Sequence, residues 1–526
     1  MGREHYLIPE APYADWPSYL AATGGALARA RQTAPEALLE TLAASGLRGR
    51  GGAGFATAVK WRSLANHPAT TKYVVMNAAE GEPGTFKDRF LLRKNPYAAL
   101  EGLLIGAHVI GARAAYIAAK ASFTPELARL RAAIAELEAA GLCEGLPIKL
   151  VEGPEEYLFG EEKALLNVIE GEGPLPRAPE YPPFEVGLFA RPGAPNPCLV
   201  NNVETWARVS TIVAHGAQSF RAIGSGDTAG PLIYTVSGDV ARPGVYELPA
   251  GLTLRKLFDE VAGGPLPGRS FKAALSGVSS GVIPADKFDT PADFGSLQLL
   301  GAGLGSAGFM VFDDSASMPR VTQALARFLY VESCYQCSSC KNGLRIASGA
   351  IDELFDPRKA TPDDPERAVI AAQRAPQGNR CYLPVQGATL IPSLIKRYRG
   401  EFDDQVRAPR QPTRQFRVPK LTDYDEASHR FSIDLTQELK RPDWTYDEAP
   451  VGAAPEVIAA GSEAAARVAA QAAANAGKAK ATIRMELRVP EELAAELRAL
   501  AERTHTDLAK QMEQALREWV EKKRGS

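Results

Sequence analysis

The stretch SGLRGRGGAGF, residues 45 to 55, holds five glycines and two arginines within eleven positions. Its G-x-G-x-x-G spacing over residues 49 to 54 fits the dinucleotide-binding fingerprint, which requires a strand before the loop and a helix after it. Residues 33 to 46, TAPEALLETLAASG, instead predict a helix that Thr33 caps and whose leucines share one face. The spacing therefore matches the fingerprint, and the context does not.

Strand-like and helical runs alternate through the first 230 residues or so. KYVVMNA (72–78) and ARAAYIAAK (112–120) predict strands, and TPELARLRAAIAELEAAG (124–141) predicts a helix. Such alternation indicates a parallel sheet covered by helices. Ligands of open parallel sheets bind at the carboxyl ends of the strands. We therefore expect a binding site at NAAEGEPGTFKDR (77–89), which begins where the first of these strands ends.

The sequence divides into further units after this α/β domain, which we place at residues 1–230. Short alternating strands with Pro-Gly turns predict a small β-grasp-like domain at 231–317. Residues 318–403 predict a helical bundle with four cysteines. Residues 404–450, rich in Pro, Asp, Arg and aromatic side chains, predict an extended arm that contacts a partner. Residues 451–480 are an Ala-rich linker of low complexity.

The last unit, residues 481–526, begins with the alternating segment TIRMELRVP and continues as two predicted helices. This order resembles the ribbon-helix-helix fold, which dimerises by pairing one strand from each chain. Residues 482 to 526 contain nine Lys or Arg and nine Asp or Glu, so the unit lacks the positive charge typical of DNA-binding surfaces. We expect it to mediate homo-oligomerisation or docking, with DNA contact as the alternative.

Composition and charge exclude several classes of protein. The chain has 526 residues and a net charge of -2, which does not favour nucleic acid or an anionic membrane as a partner. Its first residues, MGREHYLIPEAPYADW, are charged and interrupted by prolines, unlike a signal peptide. The most apolar long run, 100–119, contains Glu101, His108 and Arg113, and so predicts a buried helix and strand rather than a membrane span. We expect a cytoplasmic protein.

Four of the six cysteines form a pattern that indicates a metal site. They are Cys334, Cys337, Cys340 and Cys381. Clustered cysteines of a cytosolic chain are more often metal ligands than disulfides, and four thiolates suit zinc or an iron–sulfur cluster. Three ligands in one tight turn plus a remote fourth favour a 4Fe–4S cluster, with zinc or no metal as the alternatives. Cys143 and Cys198 fit small buried hydrophobic residues.

Five motifs follow one another in a specific order: the glycine-rich loop, NAAEGEPGTFKDR, YLFGEEKAL (157–165), LVNNVET (199–205) and ESCYQC (332–337). Together they resemble the flavoprotein, NADH-binding subunit of respiratory complex I. The same family includes the diaphorase subunits of NAD-dependent formate dehydrogenases and NAD-linked hydrogenases. The resemblance covers about residues 15–403. It implies an α/β chain with a Rossmann-like FMN and NAD(H) domain, a β-grasp-like domain and a helical 4Fe–4S cluster domain.

The resemblance also implies which residues form the site. Positions at the flavin are Gly49 and Gly51. Positions at the dinucleotide are Gly52, Phe55 and Lys60. Positions at the flavin and nicotinamide are Asn77 and Glu80, of which Glu80 is the catalytic candidate. A second wall is formed by Tyr157, Gly160, Glu161 and Glu162. Phe184 matches an aromatic residue at the adenine. Positions at the FMN phosphate and ribityl chain are Val200, Asn201, Asn202 and Thr205. The cluster ligands are the four clustered cysteines.

The implied function is that of an NADH dehydrogenase (diaphorase) electron-transfer subunit in a multisubunit redox enzyme. It moves a hydride between NAD(H) and FMN and single electrons between FMN and a 4Fe–4S cluster. This chemistry depends on stacking and orientation more than on acid–base groups. The implied partners are other redox subunits, including a separate thioredoxin-like 2Fe–2S subunit. The alternative is a non-catalytic, redox-sensing DNA-binding regulator or scaffold on the same fold.

Three positions depart from the usual pattern of this family. Ala79 stands where an Asp is usual, Tyr335 where a Gly is usual, and Ser339 where a Pro is usual. The first departure lies at the flavin and the other two at the cluster. We expect them to alter flavin binding and the cluster potential, because hydrogen bonds and exposure around the sulfurs set that potential.

Overall fold

The computed structural model of the chain describes residues 4–411 and 414–447. Four helices come first: α1 (Trp16–Thr23), α2 (Leu27–Arg31), α3 (Pro35–Ser45) and α4 (Thr57–Ala65). Helices α3 and α4 flank the glycine-rich loop, so the predicted helix before the loop is confirmed. The predicted cap is wrong, because Thr33 Oγ1 donates to Arg29 O and no side chain caps α3.

A parallel sheet with helical connections follows. Its elements are β1 (Tyr73–Ala78), α5 (Lys87–Lys94), α6 (Pro96–Ile110), β2 (Ala114–Lys120), α7 (Thr124–Ala139), β3 (Ile148–Gly153), α8 (Glu162–Ile169), β4 (Cys198–Asn202), α9 (Val203–His215) and α10 (Ala217–Arg221). The strand order is β3-β2-β1-β4, and all neighbouring strands are parallel. One face packs on α6 and α9 and the other on α8, so β1, β2 and β4 are buried on both faces, whereas the edge strand β3 is partly exposed.

The next unit is the expected β-grasp-like domain. A small hairpin, β5 (Gly224–Ser225) and β6 (Thr228–Ala229), precedes β7 (Pro231–Gly238), β8 (Gly244–Pro249), β9 (Phe271–Ser276), β10 (Ile283–Pro284), α11 (Phe294–Leu299) and β11 (Gly308–Asp313). The five-stranded sheet has the order β10-β9-β11-β7-β8, with β11 parallel to β7 and the other pairs antiparallel. A π-helical segment, Lys256–Val261, contributes Leu257 and Phe258 to its core.

A helical bundle carries the four clustered cysteines. Its helices are α12 (Met318–Glu332), α13 (Ser338–Glu353), α14 (Asp364–Arg374), α15 (Leu383–Arg397) and α16 (Arg399–Arg407). Three of the cysteines lie between α12 and the first turns of α13, and Cys381 lies just before α15. The expected domain boundary at 403 falls inside α16. Among the described residues, no helix combines the length and the apolar character that crossing a membrane requires.

The segment that follows, residues 414–447, folds back on the chain. It contains a hairpin, β12 (Leu421–Asp425) and β13 (Arg430–Ile433), and a short 3-10 turn, Leu435–Glu438. Arg89 Nη1 of the α/β domain donates to Leu421 O at 3.2 Å. A partner contact for this segment stays a prediction. The Ala-rich linker and the ribbon-helix-helix-like unit, residues 451–526, lie outside the described residues.

Candidate functional site

The glycine-rich loop closes on itself between α3 and α4. Gly49 N donates to Phe55 O at 2.8 Å. Gly52 has φ +117°, which side chains rarely adopt, and a Cβ on Gly54 would lie 2.5 Å from the Phe294 ring. The loop therefore requires glycine for its shape. Gly51 and Ala53, which carry no side chain larger than a methyl group, are exposed, so this part of the loop backbone is accessible to a bound anion or ring.

This loop lies against the carboxyl end of β4 and the start of α9. Arg50 N donates to Thr205 Oγ1 at 2.8 Å, and a Cβ on Gly51 would lie 3.3 Å from Asn202 Cβ. Asn202 Oδ1 accepts from Glu204 N at 2.9 Å and caps α9. Three predicted residues thus share one wall at the amino end of a helix, where the helix dipole favours phosphate.

A second wall forms at the end of β1 and the start of α8. Asn77 Nδ2 donates to Gly160 O at 2.8 Å. Glu161 Oε2 accepts from Lys163 N and Ala164 N, both at 2.9 Å, and so caps α8. Burial raises the pKa of Glu161 to about 7. The structure therefore brings Asn77 against Gly160, which Glu161 follows, and the roles of these residues at the cofactors stay predictions.

Lys60 connects the two walls. Its Nζ donates to Glu162 Oε1 at 2.5 Å and to Val200 O at 2.7 Å. Val200 contributes only its carbonyl to the site, because its side chain is buried in the core. The side-chain amide of Asn201 can be oriented so that its oxygen and its nitrogen both form hydrogen bonds. In that orientation Oδ1 accepts from Trp61 Nε1 at 2.8 Å. Asn201 thus helps to position α4, which carries Lys60.

Two exposed aromatic rings belong to the predicted set. The side chain of Phe55 is 57% exposed and that of Phe184 is 40% exposed. Phe55 lies in the glycine-rich loop. Phe184 lies in the connection between α8 and β4. The residue before it, Pro183, accepts a hydrogen bond from Cys198 N at 2.8 Å, which holds this part of the connection at the start of β4. Both rings have free surface for stacking on a planar ligand.

Glu80 follows β1 and holds the start of α5. Its carboxylate accepts from Asp88 N at 3.0 Å and from Arg89 N at 3.3 Å. Phe86 occupies the N-cap position of α5, and its side chain cannot accept a hydrogen bond. The Glu80 carboxylate caps the helix instead. Burial, and next the charge of Asp88, raises the pKa of Glu80 to about 7. A carboxyl group that changes charge near neutral pH is typical of functional sites.

Lys87 is a buried charge in this site that the sequence analysis missed. Its Nζ donates to Asp88 Oδ1 at 2.7 Å and to Asn202 Oδ1 at 3.2 Å, and it lies 3.1 Å from Glu204 Oε2. Burial alone would lower the pKa of Lys87, but the carboxylates of Asp88, Glu204 and Glu80 outweigh it and raise that pKa. Lys87 lies in the motif NAAEGEPGTFKDR, but its position gave no sign that it reaches back to Asn202.

Glu82 was also missed, and it joins all three domains at Tyr157. Tyr157 Oη donates to Glu82 Oε2 at 2.5 Å and accepts from Gln386 Nε2, in the bundle, at 2.7 Å. Glu82 Oε1 accepts from Val278 N, in the β-grasp-like domain, at 2.7 Å. Burial raises the pKa of Glu82. Glu82 lies two residues after Glu80, and this position in the motif could have indicated that it belongs to the site. Nothing in the sequence indicated that Gln386 contacts Tyr157.

The four clustered cysteines line one cavity, which Leu158 of the α/β domain helps to close. Within residues 4–411 and 414–447, no three His, Cys, Asp or Glu side chains converge closely enough to hold a single metal ion. Tetrahedral zinc requires such convergence, since Zn–S bonds are about 2.3 Å long. Four sulfurs around a shared cavity fit the corners of a 4Fe–4S cluster better.

Burial favours the protonated form of three of the clustered cysteines. It raises the pKa of Cys340 to about 12 and also raises the pKa values of Cys334 and Cys381. These three thiols are therefore protonated unless a metal supplies positive charge, as iron does in a cluster. The donor set thus fits a cluster of iron ions.

Tyr335, between the first two cysteines, has φ +63°. This left-handed conformation is costly for any residue with a Cβ, which explains why glycine is usual at this position of the family that the sequence resembles. The side chain is 59% exposed, and Lys341 Nζ lies 4.0 Å from the centre of its ring. This cation–π contact offsets part of the strain.

Residues 414–447 hold the helix that leads into the cysteine turn. Lys440 Nζ donates to Glu332 Oε2 at 2.9 Å, and Trp444 Nε1 donates to Val331 O at 2.9 Å. Glu332 Oε2 also accepts from Tyr157 N at 3.1 Å. Glu332 lies two residues before Cys334, so these contacts fix the position of the cysteine turn relative to Tyr157.

Comparison with known families divides the chain as the fold does. The family described as the Nuo51 FMN-binding domain matches residues 42–211, and the SLBB domain family matches residues 233–282. The family described as the NADH-ubiquinone oxidoreductase-F iron-sulfur binding region matches residues 320–405. These ranges fall in the α/β domain, the β-grasp-like domain and the bundle, respectively.

Similar proteins include components of NADH-quinone oxidoreductases. One of the NADH-quinone oxidoreductase F subunits of Rhizobium meliloti is 37% identical over 387 residues, which cover 72% of this chain and 90% of that protein. The corresponding protein of Aquifex aeolicus is 33% identical over 386 residues, which cover 72% and 88%. One chain of an NAD+-reducing NiFe hydrogenase in its H2-reduced state superposes with a TM-score of 0.68 at 32% identity, over 78% of this chain and 67% of that chain.

A glycine-rich loop at the carboxyl end of a parallel sheet, a β-grasp-like domain and a four-cysteine bundle in one chain define an NADH dehydrogenase (diaphorase) type electron-transfer subunit. Its cofactors are FMN, NAD(H) and a 4Fe–4S cluster. The chain belongs to the family of NADH-quinone oxidoreductase F subunits, the flavoprotein subunits of respiratory complex I. The predicted fold class, enzyme class and cofactors are confirmed. Nothing in these similarities supports the alternative of a DNA-binding regulator.

Proposed function

We propose that the pocket between the glycine-rich loop and the starts of α8 and α9 holds FMN. The observation that carries this proposal is the direct apposition of Gly51 with Asn202 and of Arg50 with Thr205 at the amino end of α9. A backbone cradle and a helix N-terminus together suit a phosphate. Further flavin positions on this pocket are Gly49, Asn77, Tyr157, Gly160, Glu161, Val200 and Asn201.

NAD(H) would lie against the outer side of the same loop. Phe55 and Phe184 offer exposed rings for the nicotinamide and adenine bases. Gly52 permits close approach of a ribose or phosphate. Lys60 Nζ is paired with Glu162, and it can exchange this partner for a dinucleotide phosphate. The role of these residues is to bind and orient, because hydride transfer depends on the alignment of the two rings.

Electrons would leave through the four cysteines. Bound FMN can exchange two electrons with NADH and one electron at a time with a 4Fe–4S cluster, so the two cofactors are complementary. Tyr157 joins the two sites, since its Oη contacts Glu82 and its N contacts Glu332, two residues before Cys334. Tyr157, with Leu158 in the cluster cavity, would keep the distance between the cofactors fixed.

The chain would work in the cytoplasm within a multisubunit redox enzyme. We infer that its partners include a separate thioredoxin-like 2Fe–2S subunit, as the family that the sequence resembles implies. We further infer that residues 481–526 mediate homo-oligomerisation or docking.

The function is tested by anaerobic visible spectra of the purified protein before and after addition of NADH. We expect flavin bands and a broad cluster shoulder, both of which lose intensity on addition. A spectrum without flavin bands, or with cofactors that do not respond to NADH, would refute the proposed path. The comparison of NADH with NADPH in the same titration gives the nucleotide preference.

Glu80 is expected to make nucleotide binding depend on pH. Because its pKa is raised to about 7 by burial and by Asp88, it becomes negatively charged as the pH rises through neutrality. The charged form attracts the positive nicotinamide of NAD+ more than the neutral ring of NADH. We expect the ratio of the NAD+ and NADH dissociation constants to fall several-fold between about pH 6 and pH 8.

A Glu80→Gln variant should abolish this dependence, and Glu36→Gln, at an exposed position of α3, should preserve it. The measurement is equilibrium dialysis of NAD+ against the oxidised protein and of NADH against the fully reduced protein at each pH. An unchanged pH dependence in Glu80→Gln would show that another group titrates.

A further inference from the structure

A cavity of about 380 Å³ lies between α12 and the segment 414–447. One wall is a single face of α12, whose lining residues follow helical spacing: Arg320, Gln323, Ala324, Arg327 and Phe328. The other wall consists mainly of residues 415–418 and of residues of the turn at 434–438. We call this space the α12 cavity. Its volume is within the range of small-molecule sites, and none of the residues assigned above to FMN, NAD(H) or the cluster lines it.

Two ion pairs neutralise part of the cavity wall. Arg417 Nε lies 3.1 Å from Glu438 Oε1, and Lys420 Nζ lies 3.1 Å from Asp434 Oδ2. Each pair joins two residues of the segment 414–447, so it holds the outer wall together without using a charge of α12. The other charged side chains of the lining are therefore the ones available to a ligand.

These other side chains are two arginines and one carboxylate. Arg320 donates to the side-chain oxygens of Gln323 and Gln415, at 2.5 and 2.6 Å. Arg327 donates to two backbone carbonyls of the opposite wall, at 3.2 and 2.9 Å. Neither guanidinium forms an ion pair with any residue that the structure describes. Asp352 accepts from Gln323 Nε2 at 2.8 Å and is the single carboxylate that opposes them, so the cavity has an excess of positive charge.

The α12 cavity also has an apolar part. Phe416 and Val418 line it from the outer wall, and Ala324 lines it from α12. The ring of Phe416 is half-buried and packs on Phe312, with 5.5 Å between the ring centres. Its position is thus fixed, and it offers a surface on which the organic part of a ligand can pack.

We propose that the α12 cavity binds a small phosphomonoester, with the phosphate at Arg320 and the organic part against Phe416. A guanidinium fork matches the oxygens of a phosphate. A phosphomonoester carries more than one negative charge at pH 7, so it compensates two arginines better than a single carboxylate does. Gln415, which Arg320 contacts, precedes Phe416, so both parts of the ligand have a binding group on the same side of the cavity. The site is independent of the proposed function, because no cofactor residue lines it.

A ligand in the α12 cavity would hold the segment 414–447 against α12. Gln437, in the outer wall, donates through Nε2 to Glu332 Oε1 at 2.9 Å. Glu332 lies two residues before Cys334, so the cavity is connected to the cysteine turn. A ligand that binds only the closed segment stabilises it by mass action.

The test measures hydrogen exchange of the full-length holoprotein in peptides that cover residues 415–418 and 434–438. The probes are AMP, ribose 5-phosphate and inorganic phosphate. We expect protection of these peptides to rise about 10-fold when the concentration of AMP is ten times its dissociation constant. Ribose 5-phosphate should bind more weakly than AMP, and inorganic phosphate should bind most weakly, because it has no organic part. Peptides that cover residues 45–55 report separately on AMP at the dinucleotide site.

Arg320→Gln should weaken AMP binding at the cavity by at least about 10-fold, because a charge-assisted hydrogen bond is lost. Asp352→Asn should strengthen it several-fold, because the opposing charge is removed. An increase in affinity is a result that damage to the fold does not produce. The matched control is Arg345→Gln, which removes an exposed cation of α13 outside the cavity. It should keep AMP binding and the NADH-dependent reduction of cytochrome b5, a soluble haem protein that accepts one electron.

Three results would each overturn the proposal. The first is that none of the probes protects residues 415–418 and 434–438, or that AMP protects residues 45–55 alone. The second is that inorganic phosphate binds as tightly as AMP. The third is that Arg320→Gln and Asp352→Asn both bind AMP with the affinity of the wild type.

Discussion

A Cys340→Ser variant is expected to lose the broad visible absorbance of the cluster while it retains FMN that NADH reduces. Cys340 is the most buried of the four clustered cysteines, so no solvent group can replace its sulfur. Loss of an outer-sphere partner of a metal site already costs roughly 10- to 100-fold. We therefore expect NADH-dependent reduction of cytochrome b5 to fall by at least about 100-fold.

The matched control for this variant is Cys143→Ser, because Cys143 is a free cysteine outside the cluster cavity. It should keep both the absorbance and the rate. Iron analysis should give about four iron atoms per chain for wild type and control. A Cys340→Ser protein that keeps four iron atoms and its electron transfer would refute the assignment of Cys340 as a ligand. One bound zinc per chain in wild type would refute the cluster.

The sequence predicted those parts of the fold that depend on local pattern. Strands such as KYVVMNA indicate a parallel sheet, because the residues on both of their faces are mostly apolar. The helix before the glycine-rich loop follows from the spacing of its leucines. The resemblance assigned Gly51, Asn202 and Thr205 to the flavin, its phosphate and its ribityl chain. The structure brings the three residues together, since the loop packs on the cap of α9, and their contact with FMN stays a prediction.

Other features depend on contacts that sequence distance hides. Val200 belongs to the site through its carbonyl, which a side-chain pattern does not reveal. Lys87 reaches Asn202 across 115 positions. Gln386 meets Tyr157 across 229 positions. Partners this far apart leave no periodic signal, because only the packing of α5 against α9 and of α15 against the α/β domain brings them together.

The segment after residue 403 is a further example. Its composition predicted an arm that contacts a partner, but its described residues pack on the same chain. Lys440 is as buried as Glu332, and a buried lysine is stable only when it is paired. No pattern in the sequence connects residue 440 with residue 332. The match to the iron-sulfur binding region ends at residue 405. Because Lys440 lies beyond that match, the resemblance could not predict its contact with Glu332.

Breaking the contact between Glu332 and Lys440 is expected to have the largest effect on stability. Burial alone would raise the pKa of Glu332, but the charges of Lys440 and Lys420 and hydrogen bonds from Lys440 Nζ and Tyr157 N hold it at about 2. Glu332→Ala leaves Lys440 charged and unpaired in the interior. Removing one partner of a buried pair typically costs about 3–5 kcal/mol.

Hydrogen exchange in peptides that cover β12, β13 and the turn Leu435–Glu438 measures this cost locally, without assuming that a multidomain chain unfolds in one step. We expect Glu332→Ala to reduce protection there by about 10²-fold to about 5 × 10³-fold. The double variant Glu332→Leu, Lys440→Met should recover most of that protection, because two apolar side chains of similar volume leave no buried charge. A double variant as unprotected as Glu332→Ala would show that the contact acts through packing rather than charge.

The same pair gives a pH dependence with a defined sign. The pKa of Glu332 is lowered from 4.5 in the unfolded chain to about 2 in the folded chain. Its contribution to stability is therefore complete above about pH 4.5 and is lost as the pH falls towards 2. In the double variant this loss should be absent between those two pH values. Because Glu332 lies two residues before Cys334, we expect the segment 414–447 of the wild type to open and the cluster absorbance to bleach over the same pH range. In the double variant we expect the segment to stay closed over that range, so that the two events are separated.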